Sequence, residues 1–211
     1  MKKQCVIFSA GDVLQKPDIP ENSYIIAADA GYKNAEKCGF VPDLLIGDFD
    51  SLSCIPCGIE AVKYPAEKDY TDTELAIKIG IEKGCNSFFV VGALGGTRFE
   101  HTVANLQLAA GISKQGYGIT LTDGKTFIKA ITNGKAEFDS SFKGYVSVFS
   151  FDGDSKGVTI KGLKYELNDV TLPCTGTLGV SNEFCGIASE ISVEHGTLLI
   201  IYRRKDGDVR L

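Results

Sequence analysis

Along the first 125 residues, short continuous apolar runs alternate with longer stretches of helical periodicity. Residues 6–8, 24–28, 44–46, 61–64, 88–91 and 119–121 are apolar runs of strand length. Uninterrupted runs of this kind suit strands covered on both faces. The intervening pattern predicts helices over 32–38, 73–83 and 99–110. Each is followed by a glycine (Gly39, Gly84 and Gly111) that serves as a stop. Alternation of strand and helix predicts an α/β layer sandwich with a mostly parallel sheet.

From residue 126 the helical period disappears. Residues 127–131, 145–151, 158–160, 187–193 and 198–202 read as strands, separated by the turn signals Asn133-Gly134, Asp152-Gly153 and His195-Gly196. This pattern predicts two domains, an α/β domain over 1–125 and an all-β sandwich over 126–211.

Composition narrows the function classes. The 211 residues include 44 % hydrophobic and 23 % charged positions, which suits a globular chain. Lys plus Arg is 22 against 27 for Asp plus Glu, a net charge of −5. That balance argues against a general nucleic-acid binder, which needs clustered basic surface. No apolar run approaches the roughly 20 residues of a membrane span, and the opening residues do not form a signal peptide. Seven cysteines without framework spacing predict reduced thiols and a cytoplasmic location. Cys54 and Cys57 form a lone C-x-x-C that lacks the two further ligands of a zinc site.

Three segments carry candidate chemistry. In Gly47-Asp48-Phe49-Asp50-Ser51, two acids follow an apolar strand, at the edge where open α/β sheets bind ligands. On an extended segment Asp48 and Asp50 would point to the same side. Such a pair holds a divalent cation such as Mg²⁺ or forms an acidic turn. In Lys68-Asp69-Tyr70-Thr71-Asp72-Thr73-Glu74, Thr71 and Glu74 fit a capping box. Asp72 then lies in a first helical turn, as a dipole partner or as a further metal ligand. In Gly92-Ala93-Leu94-Gly95-Gly96-Thr97-Arg98-Phe99-Glu100-His101, a glycine pair precedes a helix N-terminus, an arrangement that admits anions. Arg98 is a phosphate clamp candidate. His101 and Asn105 share one helix face. Thr97 and Glu100 offer a second capping box.

The ordered set resembles the bacterial type of thiamine pyrophosphokinase. It comprises Ala28-Asp29-Ala30-Gly31 with Asn34; Gly47-Asp48-Phe49-Asp50-Ser51; Lys68-Asp69 with Thr71-Asp72; Gly95-Gly96, Arg98, His101 and Asn105; and Gly162-Leu163-Lys164-Tyr165 with Ser181-Asn182. The resemblance spans nearly the whole chain. It implies a homodimer in which an α/β domain binds ATP and a β-sandwich binds thiamine. The reaction implied is Mg²⁺-dependent transfer of the β,γ-diphosphate of ATP to the thiamine hydroxyl, releasing AMP. By the same resemblance Asp48, Asp50 and Asp72 hold Mg²⁺, and these acids with Arg98 form the catalytic set. Asp29, Lys68, Asp69, Arg98, His101 and Asn105 contact ATP, and Tyr165, Ser181 and Asn182 contact thiamine. The chain departs from the family pattern in having Ala30 for a second glycine, Glu100 where Asp is usual, and no Trp. Two other readings share this architecture: a diphosphokinase acting on a hydroxymethyl-pterin, and a non-catalytic sensor of nucleotide or thiamine diphosphate.

Overall fold

The apolar runs of the first half become parallel strands. The computed structural model describes residues 3–49, 58–65 and 69–203. They divide into two compact units, one made of the residues up to 108 with Leu121–Gly124, the other of Ala109–Thr120 with the chain from Lys125 onward. In the first unit, β1 (Gln4–Phe8), β2 (Tyr24–Ala28), β3 (Leu44–Gly47), β4 (Glu60–Lys63) and β5 (Ser87–Val91) lie in the order β4-β3-β2-β1-β5. Every neighbouring pair among them is parallel. Cys5 to Phe8, Ile26, Leu45, Ile46 and Phe88 to Val91 are buried, as strands covered on both faces require.

Helix α1 (Gly31–Lys37) packs on β1 and β2, and α2 (Asp72–Glu82) on β1, β2 and β3. Both end as the sequence predicts. Gly39 takes φ +76°, its N–H donates to the Glu36 carbonyl, and the Phe40 N–H reaches back to Ala35. Gly84 and Cys85 repeat this pattern on Ile81 and Gly80, the double bond of a Schellman stop. The third expected stop is displaced. Helix α3 runs Phe99–Lys114, straight through Gly111, and the same motif forms at Gly116 (φ +86°) on Ser113 and Ile112. Gly111 keeps a helical backbone, and burial of Ile112 and Ser113 carries the helix one turn further.

Strand numbers fall from β4 to β1 and then jump to β5. The chain therefore leaves β1 on one side and enters β5 on the other. At such a switch point the loops beyond the carboxyl ends diverge and leave a crevice. Gly31 sets how closely α1 approaches that crevice, because a Cβ there would fall inside van der Waals contact of the Phe8 carbonyl oxygen. We expect Gly31→Ala to cost at least about 1–3 kcal/mol by overpacking. At this chain length the thermal midpoint should drop by about 2–4 °C per kcal/mol, measured by circular dichroism melting.

After β6 (Gly118–Thr122), the described chain contains only strands: β7 (Thr126–Thr132), β8 (Lys135–Phe138), β9 (Lys143–Lys161), β10 (Leu167–Leu172), β11 (Asn182–Cys185), β12 (Ser189–Ser192) and β13 (His195–Arg203). Within the second unit the pairings are antiparallel, and β9 serves two sheets. Its first part pairs with β11 and β13; its second part pairs with β10 and β12, and β12 continues to β8. Phe138, Phe142, Phe184 and Tyr202 fill the space between, with ring centroids 5.1–6.5 Å apart, distances favoured for edge-to-face and tilted rings.

Asp152-Gly153 is not the turn that the sequence predicts. The two runs around it form one strand, and Asp152 (φ +66°) and Gly153 (φ +119°) lie in a bulge. There the step from Phe151 to Lys156 lies opposite the step from Thr197 to His195. The extra residues bend β9 between its two sheets. Asn133-Gly134 joins β7 to β8, which are not ladder partners, so it marks a crossing rather than a hairpin.

Candidate active site

The crevice at the switch point is a cleft of about 380 Å³. Every strand that reaches it contributes its carboxyl end: Ser9 to Gly11 after β1, Ala28 and Asp29 after β2, Asp48 after β3, and Gly92, Ala93, Gly95 and Gly96 after β5. The starts of two helices close it, with the cap Thr71 and Asp72 and Thr73 of α2, Thr97 and Arg98 just before α3, and His101 and Asn105 on α3. Of the nucleotide-site residues expected from sequence, Asp29, Asp48, Asp72, Arg98, His101 and Asn105 thus converge. Asp69 is exposed and is not among the cleft residues. Asp50 and Lys68 lie outside the described residues, as do Cys54 and Cys57.

The acids are held by unusual backbone. Asp29 has φ +46°, and its N–H donates to the Ile46 carbonyl at 2.7 Å. Gly47 makes room for it, since a Cβ there would lie 3.0 Å from the Cβ of Asp29. Phe49 has φ +64° and is buried against Ala27 and Leu45. The backbone at Phe49 is therefore not extended, whereas the reading of a same-side pair assumed an extended segment there. Left-handed backbone at a bulky residue persists where packing over-determines it, and it concentrates at ligand sites.

Thr71 caps α2 as predicted, its Oγ1 accepting from the Glu74 N–H at 3.2 Å. The other half of that box is absent, because Glu74 instead pairs with Lys78 at 3.1 Å. Glu100 departs in the same way. Its carboxylate accepts from Arg98 Nε at 2.8 Å, and that contact holds the Glu100 carboxyl below its ordinary range.

Several contacts that shape the cleft are not written in the motifs, even where the residues that make them are. Both Asn34 N–H bonds go to backbone carbonyls of the β1 loop, Ser9 at 2.7 Å and Gly11 at 2.9 Å. Buried Ser9 shares a 2.9 Å hydrogen bond with Thr73, which ties β1 to the start of α2. Asn105 is buried, and its Nδ2 donates to the Ala93 carbonyl at 2.8 Å. The diglycine turn (φ +69° and +83°) closes around Asp12, whose Oδ2 accepts from the Gly96 N–H at 2.8 Å. Asp12 is a lone acid in a loop, and only the fold reveals its partner.

In the second unit the three thiamine-site candidates are neighbours. Asn182 is buried and forms hydrogen bonds with the backbone of Tyr165, a residue that is 60 % exposed. Ser181 has φ +61°, and its N–H donates to Ser147 Oγ at 3.0 Å. Lys164 pairs with Glu183 at 3.0 Å, which raises the ammonium pKa. Sequence alternation would put Leu163 and Tyr165 on one face. The structure separates them: Leu163 is buried beside Phe184 and Tyr165 is exposed, because the chain bends at Lys164 and Tyr165 instead of running extended.

Residues 18–121 match the family described as thiamin pyrophosphokinase, catalytic domain, and residues 134–198 match thiamin pyrophosphokinase, vitamin B1 binding domain. A thiamine pyrophosphokinase of Bacillus subtilis (strain 168) is 31 % identical over 188 residues, covering 86 % of this chain and 87 % of that relative. The chain belongs to the thiamine pyrophosphokinase family. Membership makes it an enzyme of the thiamine diphosphokinase class. The two-unit architecture agrees with solved structures of thiamine pyrophosphokinases. That from Bacillus subtilis has TM-score 0.85 at 27 % identity, covering 96 % of this chain and 100 % of that one. That from Candida albicans, at 16 % identity and TM-score 0.74, covers 96 % and 90 % and shares the fold. No helix among the described residues is long and apolar enough to cross a membrane.

Proposed function

We propose that this thiamine pyrophosphokinase family member transfers the β,γ-diphosphate of ATP to the hydroxyl of thiamine, giving thiamine diphosphate and AMP. The observation that carries the proposal is the cleft at the switch point, where Asp29, Asp48 and Asp72 meet Arg98 beside two helix N-termini. The hydroxyl oxygen forms a bond to the β-phosphorus, and the bond from that phosphorus to the oxygen of AMP breaks. Transfer of this kind depends on positioning and on neutralising spread negative charge.

The cleft fits Mg²⁺ as the shared ion. Its acids are hard oxygen donors, which suit that cation. Among the described residues no three His, Cys, Asp or Glu side chains form a metal cluster. Mg²⁺ is ordinarily held by one or two carboxylates plus phosphate oxygens, so Asp48 and Asp72, with Asp50 from sequence, are an adequate set. The ion would neutralise phosphate charge. Arg98 clamps a phosphate, Asp29, His101 and Asn105 line the nucleotide space, and Lys68 and Asp69 belong to the same set by family resemblance. In the β-sandwich domain, which we take as 126–211 beside an α/β domain of 1–125, Tyr165 offers its ring to the thiamine cation, with Ser181 and Asn182 beside it. We further propose a cytoplasmic homodimer in which each thiamine is bound by the nucleotide domain of one subunit and the β domain of the other.

The test is AMP formation from ATP with Mg²⁺ and thiamine, compared with a hydroxymethyl-pterin and with no acceptor. We expect AMP only with thiamine, loss of the reaction with excess chelator, and a dimer by sedimentation. AMP formed with the pterin alone would favour the other acceptor. Tight nucleotide binding without turnover would favour the sensor.

A further inference from the structure

Tyr165 lies in an irregular stretch between β9 and β10. Two contacts hold the stretch to β11: the bridge between Leu163 and Phe184, and the Lys164 N–H donating to the Glu183 carbonyl at 3.0 Å. Beyond Lys164 regular pairing stops. Tyr165 nevertheless has both backbone groups satisfied, and one side chain satisfies them. The Tyr165 N–H donates to Asn182 Oδ1 at 2.9 Å, and Asn182 Nδ2 donates to the Tyr165 carbonyl at 2.6 Å. The same Oδ1 accepts from the Glu183 N–H at 2.8 Å. A carboxamide carries the donor and acceptor of a peptide group, so Asn182 supplies the rung that a strand neighbour would have made.

We propose that Asn182 is a positioning residue, which fixes the backbone of Tyr165 and thereby aims the exposed ring at thiamine. The inference rests on the reading of Tyr165 as the thiamine platform. Three observations support it. Asn182 is 4 % exposed, whereas the tyrosine it supports is 60 % exposed. Both acceptor sites of Oδ1 and one of the two Nδ2 hydrogens are engaged by backbone, which leaves a single donor for any ligand. The left-handed Ser181 (φ +61°), anchored on Ser147 Oγ, precedes Asn182 where β11 begins and the side chain turns inward. A cation already lies over the ring: Lys164 Nζ is 5.8 Å from the Tyr165 ring centroid, and Glu183 offsets its charge. An aromatic face attracts a flat cation only when the two are aligned within about 6 Å, so alignment of the ring matters to affinity.

The experiment is a double-mutant cycle read on the thiamine KM, with the ATP KM and melting temperature measured alongside. Tyr165→Ala is expected to raise the thiamine KM about tenfold and leave the ATP KM within about twofold. Asn182→Ala is expected to raise the thiamine KM several-fold. The decisive expectation is that the double variant is no worse than Tyr165→Ala, within about twofold, because a positioning residue has nothing left to position. Asn182→Asp keeps both bonds to Oδ1 but sets its second carboxylate oxygen against the Tyr165 carbonyl, so its melting temperature is read beside its thiamine KM. Its thiamine effect should likewise vanish in the Tyr165→Ala background. Multiplying effects in the double variant would show that Asn182 acts on thiamine independently, and would overturn the inference while leaving the platform intact. A lowered melting temperature for Asn182→Ala with an unchanged thiamine KM would also overturn it. An unchanged thiamine KM in Tyr165→Ala would instead remove the platform reading itself, and the inference with it.

Discussion

Replacing Asp48 by Asn is expected to cut AMP formation roughly 10²–10³-fold while the protein stays folded. A bound cation contributes several kcal/mol of charge stabilisation in phosphoryl-type transfer, and each ~1.4 kcal/mol is a factor of ten in rate. Asp48 stands at the carboxyl end of β3 and lines the cleft. It is only half-buried, and it is the adjacent Phe49 that packs into the core against Ala27 and Leu45. Asn preserves the shape and one acceptor oxygen and removes the charge, so the melting temperature should move by no more than a few degrees. The diagnostic signature is in Mg²⁺: the concentration needed for half-maximal rate should rise in step with the loss of activity. Initial rates of AMP release over a Mg²⁺ series measure both. A near-normal rate at every Mg²⁺ level would withdraw Asp48 from the metal site. Asp50→Asn carries the same expectation on sequence grounds.

The strands of the sheet are legible because each is a closed apolar run, and a run such as Leu44-Leu45-Ile46 has few other homes. The site is legible for the same reason. Asp29 and Asp48 follow such runs directly, and the end of a parallel strand is where ligands gather. The misses involve tertiary contacts. Val103 is a clear case. Periodicity assigns Val103 to the buried stripe of α3, yet Val103 is 42 % exposed and Asn105 is buried on the Ala93 carbonyl. Asn105 pairs a carbonyl two residues past β5, and leaving that buried carbonyl unpaired would cost about 1–3 kcal/mol, comparable to burying one valine side chain.

Strands β8, β10 and β11 have too few apolar residues to announce themselves. Lys135-Ala136-Glu137-Phe138 alternates over four residues, and Asn168-Asp169 interrupts β10 with a left-handed residue at φ +51°. They are strands because neighbouring strands are there to pair with, which no local pattern records. The left-handed Phe49 was hidden for a related reason. Glycine or asparagine advertises such a backbone, whereas a phenylalanine adopts it only because the core on the far side holds its ring.

Replacing Arg98 by Ala is expected to lower kcat/KM for ATP roughly 10²–10³-fold, the usual cost of losing one preorganised charge-stabilising donor. Arg98 stands at the cleft where the diglycine turn meets α3. Its Nε donates to Glu100 at 2.8 Å, a contact that restrains the guanidinium. The pair is exposed, at 68 % for Arg98 and 64 % for Glu100, so the carboxylate's hold is weak in water and a polyphosphate with several charges outcompetes it. Three variants separate the roles. Arg98→Ala should lose activity without loss of melting temperature, because little of the side chain is packed. Arg98→Lys should recover only a small part, since a point charge does not reproduce the planar fork. Glu100→Gln should stay within a few-fold of the parent, because it removes the orienting charge but not the clamp. Rates over an ATP series at saturating thiamine give all three values. An Arg98→Ala enzyme within threefold of the parent would put the phosphate clamp elsewhere in the cleft. A Glu100→Gln loss as large as that of Arg98→Ala would make the ion pair, rather than the guanidinium alone, the unit that stabilises the transferred diphosphate.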